Sequence, residues 1–390
     1  MYDFESKLNR KKTYASKWMV RNTKNEEYSE DIIPLSVADM EFKVMDEIKD
    51  ALHKAVDEMN PYGYQAMSDS YLQSIISWMQ RHHHVKVDKD WIVLSHGVVE
   101  ALVRSVKAYT KENDGVIIFT PVYPPFFKAA RSNKTRIVEC PLILKGQRYE
   151  IDFTLFEKQA KQSDNKILIL CSPHNPIGKV FTREELARIV SICKENDLIL
   201  VVDEIHHDCI MEGYVHTNIL SFLNVYDQII LCTAASKSFN LAGLQTSNII
   251  IPDEKLRTSY IGEDHVSINP LSMAATECAY RCGDQWIREM MHVVGINYKT
   301  AADFFASYFP KAWHSELQGT YLMWVDMNAY FENEDDMFAF LYDEACFIVN
   351  KGSTFGKNGE GFMRINLALP TDQLKIALKR LYDAYEKRSK

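Results

Sequence analysis

Seven short apolar runs, rich in β-branched residues and separated by longer helix-periodic segments, constrain what this chain can fold into more than any other feature. They are Trp91–Leu94, Val116–Phe119, Arg136–Cys140, Ile167–Cys171, Leu198–Val202, Gln228–Cys232 and Asn248–Ile251. A continuous apolar strand is covered on both faces, and strands that alternate with helices pair side by side in parallel. The runs therefore predict a mainly parallel seven-stranded sheet with helices on both sides. Between them, Gly97 to Thr110 puts Val98, Val99, Leu102, Val103 and Val106 on one helical face. Thr182-Arg-Glu-Glu185, just before Leu186, Ile189 and Val190, reads as a capping box that starts a helix.

The pattern changes after residue 284. A helix-periodic stretch from Trp286 to Tyr308 leads to strand-like Tyr321–Met327, Phe347–Asn350 and Met363–Leu367, with helical segments near 333–345 and 371–387. The expected architecture is α/β: a large domain over residues 46–285, and a smaller α+β domain from 286–390 packed with residues 1–45. A length of 390 residues agrees with two to three folding units at roughly 150 residues each.

Composition narrows the partners. With 45 Lys+Arg against 53 Asp+Glu the net charge is -8, which argues against non-specific binding to nucleic acid. Met1 to Tyr28 has no apolar h-region of a signal peptide, and no apolar run approaches the roughly 20 residues of a membrane span. The eight cysteines form no CxxC pair, and several lie inside apolar runs, so reduced, buried thiols in a cytoplasmic protein are expected. His82-His83-His84 reads as a solvated turn, since three consecutive side chains cannot share one helix face. Neither that tract nor His206-His207-Asp208-Cys209 is read as a metal site, and Lys351-Gly-Ser-Thr-Phe-Gly-Lys357 lacks P-loop spacing.

In an open α/β sheet, ligands bind beyond the carboxyl ends of the strands. Leu94 is followed by Ser95-His96-Gly97 and a helix start, Phe119 by Thr120-Pro-Val-Tyr123, and Cys171 by Ser172-Pro-His-Asn175-Pro-Ile-Gly178. Val202 leads into Asp203-Glu-Ile-His206, and Cys232 into Thr233-Ala-Ala-Ser236-Lys237. These ends offer a phosphate-sized turn, an aromatic ring, an amide, a carboxylate and a lysine. That set suits an aromatic aldehyde with a phosphate arm and a protonatable ring nitrogen, namely pyridoxal phosphate (PLP).

On these residues the chain resembles the fold-type-I PLP enzymes of the class I/II aminotransferase superfamily, and within them the MalY/PatB-type cystathionine β-lyases and cystalysin-like C–S lyases. The matching segments are Val37-Ala-Asp-Met-Glu-Phe42, Tyr62-Gly-Tyr64, Ser95-His-Gly-Val-Val99 and Ser172-Pro-His-Asn-Pro-Ile-Gly178, followed by Asp203-Glu-Ile-His-His-Asp208 and Ser236-Lys-Ser-Phe-Asn-Leu-Ala-Gly-Leu-Gln245. The resemblance implies that Lys237 carries the cofactor and later takes the substrate's Cα proton, that Asp203 pairs with the pyridine nitrogen, and that Asn175 and His206 donate to the ring oxygen. Tyr123 would stack on the ring. The helix start Gly97, Val98 and Val99, with Ser236 and Thr233, would hold the phosphate. Arg364, in Phe362-Met-Arg-Ile-Asn366, matches the arginine that grips the substrate α-carboxylate. Tyr64 resembles the tyrosine that reaches the phosphate of a neighbouring subunit, which implies a homodimer.

Three positions mark the subgroup. His206 stands where many relatives have Tyr, Pro124 where a second tyrosine is found, and Gln245 where many aminotransferases pair an Arg with the phosphate. Taken singly, each residue has a plainer role: Lys237 a solvated junction lysine, Asp203 a helix cap, His206 a structural histidine, Tyr123 a core aromatic, Arg364 an arginine on an open strand face. Taken together they imply a PLP-dependent β-lyase acting on L-cystathionine or related cysteine S-conjugates. The alternatives are a class I/II aminotransferase and a catalytically silent binding or regulatory protein on the same fold.

Overall fold

The computed structural model describes residues 2–28, 32–59, 62–263 and 266–388. All seven apolar runs are strands of one sheet. In chain order they are β1 (Ile92–Ser95), β2 (Gly115–Thr120) and β3 (Arg136–Pro141), then, after a separate short hairpin of β4 (Ile143–Lys145) and β5 (Arg148–Glu150), β6 (Asn165–Cys171), β7 (Ile199–Asp203), β8 (Ile229–Thr233) and β9 (Ser247–Ile250). The spatial order is β1-β9-β8-β7-β6-β2-β3. Every residue of β2, β8 and β9 is buried, as expected of strands covered on both faces.

One strand breaks the parallel rule. β9 is antiparallel to both β8 and β1. The link from β8 to β9, residues 234–246, is spent on two short helical turns, Ala235–Ser238 and Ala242–Leu244, so no crossover helix carries the chain back to the far edge. As a result β9 enters the sheet at the edge where β1, β2, β6, β7 and β8 leave it.

The helix Val98–Tyr109 buries Val98, Ala101, Leu102, Ser105 and Val106, while Val99 and Val103 are half-buried at its margin. The capping box forms as expected: Thr182 accepts from the Glu185 backbone N–H, and the Glu185 carboxylate accepts from the Thr182 N–H at the start of Arg183–Glu195. Among the described residues no helix is long and apolar enough to cross a membrane.

A second, wholly antiparallel sheet holds β10 (Trp313–His314), β11 (Leu322–Asp326), β12 (Asn350–Lys351) and β13 (Phe362–Asn366) in the order β10-β11-β13-β12. The helices Asp284–Tyr308 and Thr371–Arg388 pack on each other, and Asn297 of the first donates to the carbonyls of Leu367 and Leu369 just after β13. β12 is shorter than the run Phe347–Asn350 suggested, because the N-terminal segment takes its place. Leu35 donates to the Ile348 carbonyl and accepts from the Asn366 N–H, both at 2.8 Å. The chain then crosses toward the first sheet, where the Asn240 side chain donates to the carbonyls of Met40 and Phe42 at 3.0 Å. Residues 35–42 thus form a strap between the two sheets.

Removing the capping oxygen with Thr182→Ala should cost about 1 kcal/mol. The midpoint of urea unfolding should fall while the slope of the transition stays unchanged.

Candidate active site

A cavity of about 210 Å³ opens at the shared strand edge. β8 ends at Thr233 and delivers Lys237 on the turn that follows. The Lys237 side chain is half-buried and lines the cavity, with its Nζ donating to the Ala38 carbonyl at 2.6 Å. Burial pulls its pKa down to about 8, Arg364 adds to the fall, and the carboxylates of Asp39 and Asp203 oppose it. Asp203, the last residue of β7, is buried at 4% exposure and accepts from the Ile205 N–H at 3.0 Å. Burial pushes its carboxyl up to about 7 against that hydrogen bond and the pull of Lys237. Both groups therefore titrate nearer neutral pH than a free lysine or aspartate does.

Beside them lie Tyr123, whose N–H donates to the Asn175 carbonyl at 3.1 Å, and His206, whose ring meets Tyr321 edge-on at 5.6 Å. Burial, then Lys237 and Arg364, hold His206 well below the usual histidine range, so its ring is neutral. The helix Val98–Tyr109 points its N-terminus into the cavity. Its N-cap is Gly97 at φ 131°, a conformation that favours glycine, and no side chain caps it, which leaves its first N–H groups free for an anion.

Arg364 comes from the other sheet. It is 3% exposed, and burial lowers its pKa to about 10, so it stays charged at neutral pH. Its Nη1 donates to Asn175 Oδ1 at 3.0 Å and its Nη2 to Asn350 Oδ1 at 2.7 Å, while the guanidinium lies 4.9 Å over the Phe355 ring. Asn350 faces Arg364 directly in the β12–β13 register. The same Asn350 oxygen accepts from the N–H of Val37, a β-branched residue held in the left-handed region at φ 51°. Asn366 Nδ2 binds the carbonyls of Val37 and Asp39, and the Tyr321 hydroxyl donates to Ala38. Below, Lys17 (1% exposed) and Arg10 pair with Asp39 and Glu41 at 2.7–3.2 Å. The strap that presents the Ala38 carbonyl to Lys237 is therefore fixed on every side.

Nine of the residues expected from the sequence to hold the cofactor or act in catalysis line the cavity: Gly97, Val98, Val99, Tyr123, Asn175, Asp203, His206, Ser236 and Lys237. Arg364 reaches it through Asn175. Thr233 does not line it; as a ladder residue opposite Asn248 it is buried, with its hydroxyl donating to the Asn248 carbonyl at 3.1 Å. Tyr64 is 98% exposed and lies outside the cavity of its own chain. Ala38, Asn350, Tyr321 and Thr246 were missed as individual residues. The strap motif pointed to Ala38, and Thr246 follows from the reversed direction of β9. No single-residue pattern marks the other two.

The donor set fits pyridoxal phosphate. A buried carboxylate, an amine of lowered pKa, an uncapped helix N-terminus and an aromatic wall surround one cavity, and two buried atoms, His206 Nδ1 and Arg364 Nε, have no partner among the described residues. The chain matches the family model for class I and II aminotransferases over residues 30–381 and belongs to that family. Within it, the chain is similar to cystalysin from Treponema denticola, a structure that contains a pyridoxal 5'-phosphate cofactor, at 38% identity and TM-score 0.96 over 100% of both chains. Cystathionine beta-lyase PatB of Bacillus subtilis is 33% identical over 90% of this chain and 92% of its own. The PLP-bound C–S lyase of Staphylococcus hominis is 34% identical, with TM-score 0.92 over 99% of this chain and 98% of that one.

Only the neutral amine attacks an aldehyde, and Lys237 becomes neutral as pH rises through about 8. Borohydride trapping of pyridoxal phosphate on the cofactor-free protein should therefore increase across pH 7 to 9 and map to the Lys237 peptide by mass spectrometry. A yield that is flat over that range would contradict the lowered pKa.

Proposed function

We propose that the protein is a PLP-dependent C–S β-lyase that converts L-cystathionine, or a related cysteine S-conjugate, and water to a thiol, pyruvate and ammonia. The carrying observation is the convergence of Lys237 and Asp203 on one cavity, with Arg364 hydrogen-bonded to Asn175 in its wall, in a chain that matches a C–S lyase from end to end. Gln245 also lines that cavity, where many aminotransferases place an arginine, which favours elimination over transamination.

When bound, pyridoxal phosphate supplies an aldehyde for the substrate amine and a ring that draws electrons from the substrate Cα. Asp203 would hold the ring nitrogen protonated. Asn175 and His206 would donate to the ring oxygen, and Tyr123 would cover one ring face. The N–H groups at Gly97–Val99 and the Ser236 hydroxyl would hold the phosphate. Arg364 binds the α-carboxylate with parallel donors and so fixes which Cα bond faces Lys237. The Lys237 amine, released from the Ala38 carbonyl, accepts the Cα proton, and the thiolate then leaves from Cβ. Asp203 and Lys237 belong to the proposed large domain, 46–285, and Arg364 to the proposed small one, 1–45 with 286–390, so the site lies at their junction.

The working unit in this reading is a homodimer in which Tyr64 reaches the partner's phosphate, which accounts for a tyrosine 98% exposed in the single chain. Eight free cysteines, five of them buried, suit a cytoplasmic setting.

Incubated with L-cystathionine and no 2-oxo acid, the protein should release pyruvate and a free thiol through many turnovers, and Lys237→Ala should abolish both. Turnover only after a 2-oxo acid is added would place it among the transaminases. Tyr64→Phe should raise the dissociation constant for the cofactor about tenfold, the scale of one hydrogen bond to a charged group, with the dimer intact by sedimentation. An unchanged constant would remove Tyr64 from the phosphate site.

A further inference from the structure

Behind the strand edge lies a second cluster of titratable groups. Glu204 and Asp208, on the turn after Asp203, have side chains 1% and 3% exposed, and their ion-pair partners are histidines. Glu204 accepts from Asn218 Nδ2 at 2.6 Å, the Ile219 N–H at 2.9 Å and His216 Nε2 at 3.0 Å. Asp208 accepts from His83 Nε2 at 2.9 Å, Trp78 Nε1 at 3.0 Å and, across to the neighbouring turn, the Ser238 hydroxyl at 2.5 Å. His207 stands between the two acids. Its Nδ1 faces Glu204 Oε2 at 3.8 Å, its Nε2 faces Asp208 Oδ2 at 3.6 Å, and it is wholly buried.

That placement favours the charged ring, and the flanking acids raise its pKa against the cost of burial. A neutral imidazole has one N–H and one lone pair, so one of its nitrogens would point a lone pair at a carboxylate in a medium that screens poorly. Neither ring nitrogen has a hydrogen-bond partner among the described residues, so the attraction at 3.6–3.8 Å is one of charge: an imidazolium supplies the positive charge that two buried carboxylates need. His83 stacks on the ring at 3.9 Å and 21°. Burial and the His207 charge hold its own pKa near 4, so it is the neutral member of the pair. The donor atoms of His83, His207 and Asp208 lie within 4.8 Å of one another, which superficially resembles a metal triad. An ion bound by two imidazoles lies in the plane of each ring, however, and two nearly parallel stacked planes share no such point.

We propose that His207 is a positioning residue: a buried imidazolium that clamps Glu204 to Asp208, ties the turn carrying Asp203 and His206 to the turn carrying Lys237 and Ser238, and sets one positive charge behind Asp203. Its kinetic consequence rests on the lyase reading, but its protonation does not. The groups facing it are Glu204, Asp208, Asp203 and His206 from its own strand end, His83 from the helix Asp69–His83, and His216 from the loop that follows. With that charge removed Asp203 ionises at higher pH, because His207 acts to lower its carboxyl pKa.

The test is a 15N spectrum of histidine-labelled, unsubstituted holoenzyme at pH 8. One imidazolium protonated on both nitrogens is expected to persist there, and its absence overturns the assignment. In His207→Gln, the acid limb of the kcat profile for cystathionine should move up by about one pH unit. Below that limb kcat should fall about tenfold with KM within about twofold. An unmoved acid limb overturns the positioning role, and so does one equivalent of a transition metal in the purified protein. Should the variant fail to fold, the spectrum of the unsubstituted enzyme still decides. If the imidazolium is present but cystathionine is not cleaved, it is the lyase reading that fails.

Discussion

Taking the Lys237 amine out of bulk water disfavours its charged form, and the site is organised around what offsets that cost. The Asp39 carboxylate on the strap, then Asp203 from the neighbouring strand, and the Ala38 carbonyl hold the proton in place, while Arg364 pushes against it. The balance leaves lysine and aspartate titrating within about one pH unit of each other, at about 8 and about 7. A group poised there can give up and regain a proton during turnover at small free-energy cost, which is what a base near neutral pH requires. Burial produces the shift in each residue, and their mutual attraction limits it. The two meet because parallel strands β7 and β8 end together, so that Asp203 and the Lys237 turn are delivered to one place.

Much of this was legible in the sequence, for identifiable reasons. Strands buried on both faces cannot alternate polar and apolar residues, so the inner runs stood out; the edge strand β3, exposed at Arg136, Glu139 and Pro141, was legible from Ile137 and Val138, and each of the seven boundaries fell within two residues of the observed strand. The ligand-bearing segments were legible because they follow those runs directly. The direction of β9 was not, since periodicity carries no sign and only the short link after β8 hints at the reversal. Thr233 lies outside the cavity for a related cause: the ladder with Asn248 extends to the last residue of β8, and its hydroxyl donates to the Asn248 carbonyl.

Other features depend on contacts distant in sequence. Asn350 matters because it faces Arg364 across a two-residue strand, and Tyr321 because its hydroxyl meets a carbonyl 283 residues away. His207 looked like one more polar residue in a His-His-Asp string. Its surroundings come from the helix Asp69–His83 and the 216–219 loop, which no local pattern connects to it. Such groups become visible only once the sheet has brought its neighbours together.

Arg364 has a consequence of its own. Its two terminal nitrogens are anchored on asparagines from different sheets, Asn175 on one side and Asn350 on the other, so the guanidinium is a rivet joining the two halves of the molecule. Each terminal nitrogen carries a second N–H, so a carboxylate can be gripped while both anchors hold. One side chain is thus both fastener and receptor, and whatever disturbs either asparagine disturbs the receptor with the joint.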